Sequence, residues 1–247
     1  MKARQFTPEA EALLQRTLDS TPDDARIAAF DADGTLWSWD ATESLLDWLD
    51  RRGRIPRPPG AARVLDPYYA MVAEDKGRGY RYGAQLFAGL ELGELLELSE
   101  QHFVEEMAAR EFTEMTALVE RFRRARFRVL IVSASPWWSL DPAMRRLGIG
   151  RSDVLAVELE IESTGHVSNR VIEPFTSGEG KVLRLRRELG AEGAPAFAAG
   201  NSLDDVPMLL MSTHGALVVD PPAPSSRGDL AALAQQRGWA LHRTTAG

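Results

Sequence analysis

The stretch Arg26-Ile27-Ala28-Ala29-Phe30-Asp31-Ala32-Asp33-Gly34-Thr35-Leu36 decides the fold that the sequence predicts. A short apolar run ends in two aspartates on alternate residues. Alternation is the period of a strand, and two charges where a buried strand ends are costly unless they bind something. Open α/β folds bind ligands at the carboxyl edge of a parallel sheet. Two carboxylates there predict a hard cation and phosphoryl chemistry, with one as nucleophile and the other as proton shuttle, whereas the simpler alternative is an ordinary Asp-Gly turn.

Composition excludes several classes of protein. The chain has 247 residues, a net charge of −7 and no cysteine. An acidic chain is not expected to bind nucleic acid or a membrane surface, and a chain without cysteine has no disulfide, thiolate nucleophile or cysteine-based zinc site. No apolar run approaches the length of about 18 residues that a membrane span needs, and residues 1–24 lack the apolar segment of a signal peptide. We therefore expect a cytoplasmic protein.

Strand and helix signals alternate along most of the chain. From about 42 to 126, by contrast, apolar residues recur only at helical spacing, which predicts a helical bundle inserted into an α/β domain. Strands that alternate with helices predict a doubly wound parallel sheet. The prolines and serines at 221–226 predict a mobile loop. The predicted strands are 26–30, 127–132, 195–199 and 216–219, with a hairpin formed by 154–161 and 167–172, and the helices outside the insert are 8–19, 142–147, 180–189 and 206–211.

Four polar segments fall at the ends of predicted strands or at a helix start. They are Asp31-Ala32-Asp33-Gly34-Thr35, the serine Ser133, Lys181 in Gly178-Glu179-Gly180-Lys181, and Gly200-Asn201-Ser202-Leu203-Asp204-Asp205. Together and in this order they resemble the four signature motifs of the haloacid dehalogenase-like phosphatases, in particular the phosphoserine phosphatase-like branch. The resemblance implies a Rossmann-like core, residues 1–39 and 127–247, and an all-helical cap domain, residues 40–126.

The resemblance also implies a role for each motif residue. Asp31 attacks phosphorus and forms an aspartyl-phosphate, and Asp33 acts as general acid and base. Asp33 also favours a phosphatase over a dehalogenase, because dehalogenases of the family lack this second acid. Ser133 and Lys181 complete the catalytic set and bind the phosphoryl group, since Lys181 neutralises its charge. The phosphate-binding N–H groups are expected from Ala32, Gly34 and Ala134.

The fourth motif departs from the family pattern at Asn201, where the family usually has an aspartate. An amide oxygen also binds Mg²⁺ but removes one formal charge from the site, which predicts weaker metal binding. The resemblance implies a Mg²⁺ site made by Asp31, the backbone carbonyl of Asp33, Asn201 and waters held by Asp205.

Aromatic and acidic residues follow the first motif. Trp37, Trp39, Asp40 and Glu43 lie where core and cap are expected to meet, and this stretch resembles the start of the cap in bacterial phosphorylcholine phosphatases. Indoles beside carboxylates suit an ammonium group, which predicts specificity for an amine-bearing substrate such as phosphocholine or phosphoserine. The alternative is that the tryptophans only pack the joint between core and cap.

The sequence thus predicts a Mg²⁺-dependent phosphomonoesterase that acts on a small phosphorylated metabolite. Two alternatives remain open at this point. Asn201 is compatible with a weakly active relative that binds phosphorylated metabolites as a sensor, although such a protein has no need of both Asp31 and Asp33. A phosphomutase or phosphotransferase of the same fold is the second alternative.

Overall fold

The computed structural model describes residues 5–220 and 228–244. The strands are β1 (Ile27–Phe30), β2 (Arg128–Pro136), β3 (Val154–Val157), β4 (Leu159–Ile161), β5 (Val167–Val171), β6 (Phe197–Gly200), β7 (Gly215–Asp220) and β8 (Ala240–Arg243). The helices are α1 (Pro8–Ser20), α2 (Ala41–Arg51), α3 (Asp66–Glu74), α4 (Lys76–Gln85), α5 (Leu92–His102), α6 (Thr113–Arg124), α7 (Trp137–Arg146), α8 (Glu179–Leu189), α9 (Val206–Met211) and α10 (Gly228–Arg237).

A parallel sheet of six strands in the order β3-β2-β1-β6-β7-β8 forms the centre of the molecule. The chain moves outward from β1 through β2 to β3, and it later returns to the other side of β1 and continues through β6 to β8. The strand order therefore reverses between β1 and β6, and such a switch point leaves a crevice at the carboxyl ends of the two strands. The predicted doubly wound α/β fold is confirmed.

Alternate residues of each strand enter separate apolar layers on the two faces of the sheet. On β1, Phe30 packs in the layer formed with α1, α6 and α7, whereas Ala29 packs in the layer formed with α8, α9 and α10. Phe30 and Phe197 are fully buried, and both contact the ring of Phe122 from α6, at centroid distances of 5.8 and 4.7 Å. Strands buried on both faces need apolar residues at every position, which explains why the strand segments read as continuous apolar runs.

Most of the chain between β1 and β2 is helical. Helices α2 to α5 share a third apolar cluster with the hairpin of β4 and β5, and Trp48, Phe87 and Trp138 lie fully buried in it. Helix α6 packs instead in the sheet layer through Met115, Leu118 and Phe122. The division into a core of 1–39 and 127–247 and a cap of 40–126 stays a prediction.

Two predicted elements differ from the structure. The strand predicted for 154–161 is divided between two sheets, because Val154–Val157 pairs with β2 whereas Leu159–Ile161 pairs with β5 across the hairpin. The helix predicted from Pro142 begins earlier, at Trp137, and contains that proline in its interior. The loop predicted for 221–226 lies outside the described residues.

None of the helices in the described ranges combines the length and the apolar character that crossing a membrane requires.

Candidate active site

The first motif forms a tight turn directly after β1. The N–H of Asp31 still donates to the Ala199 carbonyl at 2.9 Å and extends the pairing of β1 with β6. The chain then reverses, since the N–H of Gly34 donates to the Trp37 carbonyl at 2.9 Å. Gly34 has a φ of +75°, and a Cβ built on it would lie 2.1 Å from Asn201 Nδ2. Glycine is therefore required here both by the backbone conformation and by the close approach of the fourth motif.

Asp31, Lys181 and Asp205 form a buried ionic group. Lys181, in the first turn of α8, donates through Nζ to Asp31 Oδ1 and to Asp205 Oδ1, at 2.6 Å each. All three side chains are at most 8% exposed. One ammonium thus neutralises one of the two negative charges, and the group keeps a net charge of about −1 for a cationic or protonated partner to balance.

The pKa values in this group follow from burial and charge. Burial, together with the Asp205 carboxylate, raises the pKa of Asp31 to about 7, although the Lys181 ammonium acts in the opposite direction. Burial by itself would lower the pKa of Lys181, but the two carboxylates hold it above the ordinary value. Lys181 is therefore charged at neutral pH, and it favours the ionised form of Asp31.

The fourth motif is held by Asp205, which closes the loop after β6. Asp205 Oδ2 accepts from the backbone N–H groups of Asn201 and Ser202, at 2.9 Å each, and from the Ser202 hydroxyl at 3.0 Å. Its other oxygen binds Lys181. Both oxygens of Asp205 thus bind protein donors, and through them Asp205 places Asn201 and Lys181. Its predicted role of holding metal-bound waters stays a prediction.

The side-chain amide of Asn201 lies against two oxygens at the switch point of the sheet. One of its two terminal atoms is 3.1 Å from Asp31 Oδ2 and 3.0 Å from the backbone oxygen of Asp33. As the amide nitrogen this atom donates to both oxygens, and as the amide oxygen it joins them as a third ligand for a cation. The carboxylate, amide and carbonyl oxygens are hard ligands of the kind that Mg²⁺ prefers, so the residues fit that ion. Within the described ranges there is no cluster of three His, Asp or Glu side chains with metal-binding geometry, and this set contains only one carboxylate oxygen.

The carboxylate of Asp33 is held by three other donors. Its Oδ1 accepts from Trp37 Nε1 at 2.7 Å and from the backbone N–H of Ala41 at 2.9 Å. Its Oδ2 accepts from Ser135 Oγ at 2.6 Å. Burial raises the pKa of Asp33, and the bonds from Ser135, Trp37 and Ala41 oppose this rise. The two aspartates of the first motif thus have separate partners, which is what two different chemical roles require.

The predicted phosphate-binding groups come from Lys181, which binds Asp31, and from the carboxyl ends of β1 and β2, which are parallel neighbours in the sheet. Ser133, in β2, is fully buried and its Oγ accepts from the N–H of Ser135 at 3.1 Å, so its own proton remains for donation to a ligand. Ala32 and Ala134 follow directly on Asp31 and Ser133. The N–H of Gly34 was expected to bind phosphate. It is not available for this, because the turn uses it for the bond to the Trp37 carbonyl.

The four residues predicted to select the substrate have different surroundings. Trp37 is 1% exposed, and its indole N–H is the one that binds Asp33. Trp39 lies against the guanidinium of Arg110, 3.7 Å from its ring centroid. Asp40 begins α2 by accepting from the N–H of Glu43 at 2.9 Å. The indole of Trp37 is therefore closed to a ligand, and one face of Trp39 is occupied.

Glu43 has two aromatic partners that the sequence did not indicate. Its carboxylate accepts from Tyr68 at 2.9 Å and from Tyr69 at 3.0 Å, both at the start of α3. Tyr80 of α4 is near the same acidic residues, since burial, then Asp40, Asp204 and Glu43, raise its pKa. These tyrosines lie 25 or more residues from Glu43, and only tertiary packing brings them to it.

Three hydroxyl residues around the aspartates were also missed. Thr35 donates to Asp31 Oδ2 at 2.9 Å, Ser135 binds Asp33, and Thr42 donates to Ser135 at 2.7 Å. Of these, Thr35 had a local signal, because the spacing of four residues in Asp-x-x-x-Thr closes a turn. Ser135 and Thr42 are 93 residues apart and carry no such signal.

Comparison with known proteins identifies relatives over most of the chain. A family model described as haloacid dehalogenase-like hydrolase matches residues 28–210. A histidinol-phosphatase of Neisseria meningitidis is 23% identical over 221 residues, which are 86% of this chain and 96% of the relative. A phosphoserine phosphatase of Mycobacterium tuberculosis is 27% identical over 176 residues, 68% of this chain but only 53% of that protein. Among solved structures, a protein with unknown function from Bordetella pertussis superposes with a TM-score of 0.75 at 24% identity, over 87% of this chain and 97% of that one, and shares its fold.

Proposed function

Because the chain belongs to the haloacid dehalogenase-like hydrolase family, we propose that it is a phosphatase that hydrolyses a small phosphorylated metabolite through an aspartyl-phosphate. The observation that carries the proposal is the pair of aspartates after β1. Asp31 is a buried carboxylate bound to the Lys181 ammonium, and Asp33 is held separately by Trp37, Ala41 and Ser135. Two relatives are named as phosphatases, which supports phosphatase activity.

Asp31 is the nucleophile of the proposed reaction. A carboxylate oxygen of Asp31 forms a bond to phosphorus while the ester P–O bond breaks and its electron pair leaves with the alkoxide. Asp31 Oδ2 belongs to the oxygens around Asn201, which leaves Oδ1, the oxygen bound to Lys181, as the attacking atom. The Lys181 ammonium then lies beside the charge that develops on the transferring phosphoryl group.

Asp33 moves the protons. In the first step it gives its proton to the leaving alkoxide, and in the second it accepts a proton from the water that attacks phosphorus and releases phosphate from Asp31. Burial raises the pKa of Asp33, which favours the protonated carboxyl group that the first step requires. Ser133 and the N–H groups of Ala32 and Ala134 supply donors for the phosphoryl oxygens in both steps.

The proposed cofactor is Mg²⁺, held by Asp31 Oδ2, the Asp33 carbonyl and Asn201 Oδ1, whose spacing supports this assignment. When bound, the ion supplies positive charge to the phosphoryl oxygens. Asp205 contributes by fixing Asn201 and Lys181.

The helices between β1 and β2 are proposed to act as a cap over this site. Lys76, at the start of α4, forms an ion pair of 2.6 Å with Asp204, which is next to Asp205 in the fourth motif. Thr42 of α2 is linked through Ser135 to Asp33. Contacts of this kind allow the inserted helices to exclude water and bulky substrates from Asp31.

The proposed substrate carries an amine or quaternary ammonium. Asp40 and Glu43 lie close together, since each appears among the charges that raise the pKa of Tyr68, after its burial. In residues 5–220 and 228–244, neither carboxylate has an Arg or Lys partner within salt-bridge distance. A cationic substrate would provide the missing charge, and aromatic rings of tyrosine would favour it further.

Substitution of the two aspartates tests the phosphatase proposal. Asp31→Asn is expected to keep the fold but to abolish phosphate release from p-nitrophenyl phosphate in the presence of Mg²⁺. Asp33→Asn is expected to slow release less for this good leaving group than for an alkyl phosphate. Trapping of a phosphorylated chain with radioactive substrate, and its absence in Asp31→Asn, would identify the intermediate.

The same assay decides between hydrolysis and transfer. Inclusion of an alcohol acceptor should leave inorganic phosphate as the main product, whereas a transferase would yield the phosphorylated acceptor. Full turnover by Asp31→Asn would refute the proposed mechanism, and wild type that binds phosphate esters without turning them over would support a sensor.

A further inference from the structure

Three hydrogen bonds from the protein fix the orientation of the Asp33 carboxylate. Its two oxygens offer about four lone-pair positions. Oδ1 receives two donors, from Trp37 and the Ala41 N–H, and Oδ2 receives one, from Ser135. One position is left, and it is on Oδ2. A proton that Asp33 gives to a leaving group must therefore be on Oδ2, on the same oxygen that Ser135 holds.

Ser135 lies at the centre of a chain of hydroxyl groups. A carboxylate only accepts hydrogen bonds, so the single hydroxyl proton of Ser135 must be directed to Asp33 Oδ2, 2.6 Å away. The bond of 2.7 Å between Ser135 and Thr42 must then be donated by Thr42. The two hydroxyl residues are 2% and 8% exposed, which keeps water from replacing either bond.

The backbone of Ser135 is tied to the other half of the site. Its N–H donates to Ser133 Oγ at 3.1 Å, and Ser133 is the residue proposed to bind the phosphoryl group. One residue therefore sets the distance between the phosphoryl position and Asp33. Helix α2 contributes twice, directly through the Ala41 N–H and indirectly through Thr42, so its first turn fixes both oxygens of Asp33.

From this geometry we infer that Ser135, supported by Thr42, is a positioning residue that holds Asp33 so that Oδ2 exchanges the proton with the leaving group. The inference rests on the proposed phosphatase function, and it adds two residues that have no place in the four motifs. Ser135 does not touch the substrate in this account. It acts through Asp33, and so its loss should matter in proportion to how much the leaving group needs a proton.

Comparison of two substrates tests the inference. Departure of an alkoxide needs the acid, whereas p-nitrophenolate leaves with little help. For each enzyme the ratio of kcat/KM for glycerol phosphate to kcat/KM for p-nitrophenyl phosphate is measured at saturating Mg²⁺. kcat/KM reports the steps up to departure of the leaving group, so the later hydrolysis of the intermediate, which is common to both substrates, does not enter it.

Ser135→Ala is expected to lower kcat/KM for glycerol phosphate by about 10- to 100-fold, in keeping with the loss of a hydrogen bond to a charged group that serves general acid catalysis. For p-nitrophenyl phosphate the expected loss is less than about threefold. Thr42→Val should shift the ratio in the same direction by a smaller factor, and Thr42→Ser, which keeps the hydroxyl, should restore it.

Ser99→Ala is the matched control. Ser99 is 1% exposed, and its hydroxyl donates only to the Leu95 carbonyl within α5, so this change also removes a buried hydroxyl but leaves Asp33 untouched. Its substrate ratio should equal that of the wild type. Circular dichroism and thermal denaturation of each variant report whether the fold is kept.

An equal loss on both substrates in Ser135→Ala, or equal ratios in Thr42→Val and Thr42→Ser, would overturn the inference. If Ser135→Ala does not fold, the two Thr42 variants decide alone. Failure of the proposed function has a different signature, because p-nitrophenyl phosphate turnover would then survive in Asp31→Asn or be absent from the wild type.

Discussion

Replacement of Asn201 by aspartate should make the protein more dependent on metal and, at alkaline pH, less stable without it. One terminal atom of the Asn201 amide lies 3.1 Å from Asp31 Oδ2 and 3.0 Å from the backbone oxygen of Asp33. Asn201→Asp places a second carboxylate against Asp31 without changing the size of the side chain. Among residues 5–220 and 228–244, Lys181 is the one cation within salt-bridge distance of Asp31 that can offset the added charge.

The structure sets the size of the effect. Two unit charges 3.1 Å apart repel by about 5 kcal/mol at an effective dielectric constant of about 20. Asp31 relieves this repulsion when it takes up a proton, and because its pKa is already about 7, this uptake costs under about 1 kcal/mol at pH 7 and about 3 kcal/mol at pH 9. Without metal, the free energy of unfolding should therefore change little at pH 7 and fall by about 3 kcal/mol at pH 9, which corresponds to a decrease in Tm of roughly 6–12 °C.

Mg²⁺ should reverse the loss. Even if water screened it as strongly as it screens charges about 4 Å apart, the attraction between a divalent ion and the added carboxylate would be worth about 2 kcal/mol, which corresponds to roughly a 30-fold lower Kd. Calorimetric titration with Mg²⁺ measures the affinity, and thermal denaturation in EDTA and in Mg²⁺ measures the stability. Neither measurement depends on turnover.

Asn169→Asp is the matched control for this prediction, because it adds the same charge at an exposed position of the hairpin strand β5. It should leave both the Mg²⁺ affinity and the metal-free Tm nearly unchanged. An Asn201→Asp variant with wild-type stability in EDTA at pH 9 and unaltered Mg²⁺ affinity would show that Asn201 is not next to the ion, and the metal assignment would be refuted.

Three further predictions concern separate parts of the molecule. Gly34→Ala should unfold at a lower temperature and lose the stabilisation by Mg²⁺, because the added Cβ meets Asn201 at 2.1 Å in a backbone of positive φ; a Tm equal to that of the wild type contradicts this. Burial lowers the pKa of His102 to about 4. As the pH falls, His102 is therefore protonated in the unfolded chain before it is protonated in the folded one. The free energy of unfolding should fall by about 2 kcal/mol between pH 7 and pH 5. Denaturant titration at both pH values measures this fall, and His102→Gln should reduce it. An equal fall in the variant would show that other titratable groups cause it. Glu43→Gln should lower kcat/KM for phosphocholine about 10-fold relative to glycerol phosphate, and equal slowing of both substrates would leave Glu43 a purely structural role.

Several features of the molecule could be predicted from the sequence because their causes are local. Short apolar runs predicted β1, β2, β6 and β7. Because parallel strands bring their carboxyl ends to one edge of the sheet, Asp31 and Asn201 were expected to lie together. Helix α1 was expected at its observed start because Thr7 caps it and Pro8 fills its first turn. Such signals depend on neighbours within one or two turns of the chain.

Some local patterns were ambiguous, and packing decided them. The apolar stretch 154–161 has no break that separates β3 from β4, yet the first half pairs with β2 and the second with the hairpin. Pro142 suggested a helix start, but α7 begins at Trp137, where the end of β2 leads directly into the helix. The last helix and strand, α10 and β8, were not predicted, because neither has a strong apolar period.

The partners of the site residues were decided only by the tertiary structure. Lys181 joins Asp31 across 150 residues, and Ser135 joins Asp33 across 102. Trp37 was predicted to face a substrate, and it lies instead in the core with its N–H on Asp33. A sequence records which residues carry charge and which strand each one follows. The direction of a side chain, and the donor that meets it, depend on how the layers pack around the sheet, and that packing is a property of the whole chain.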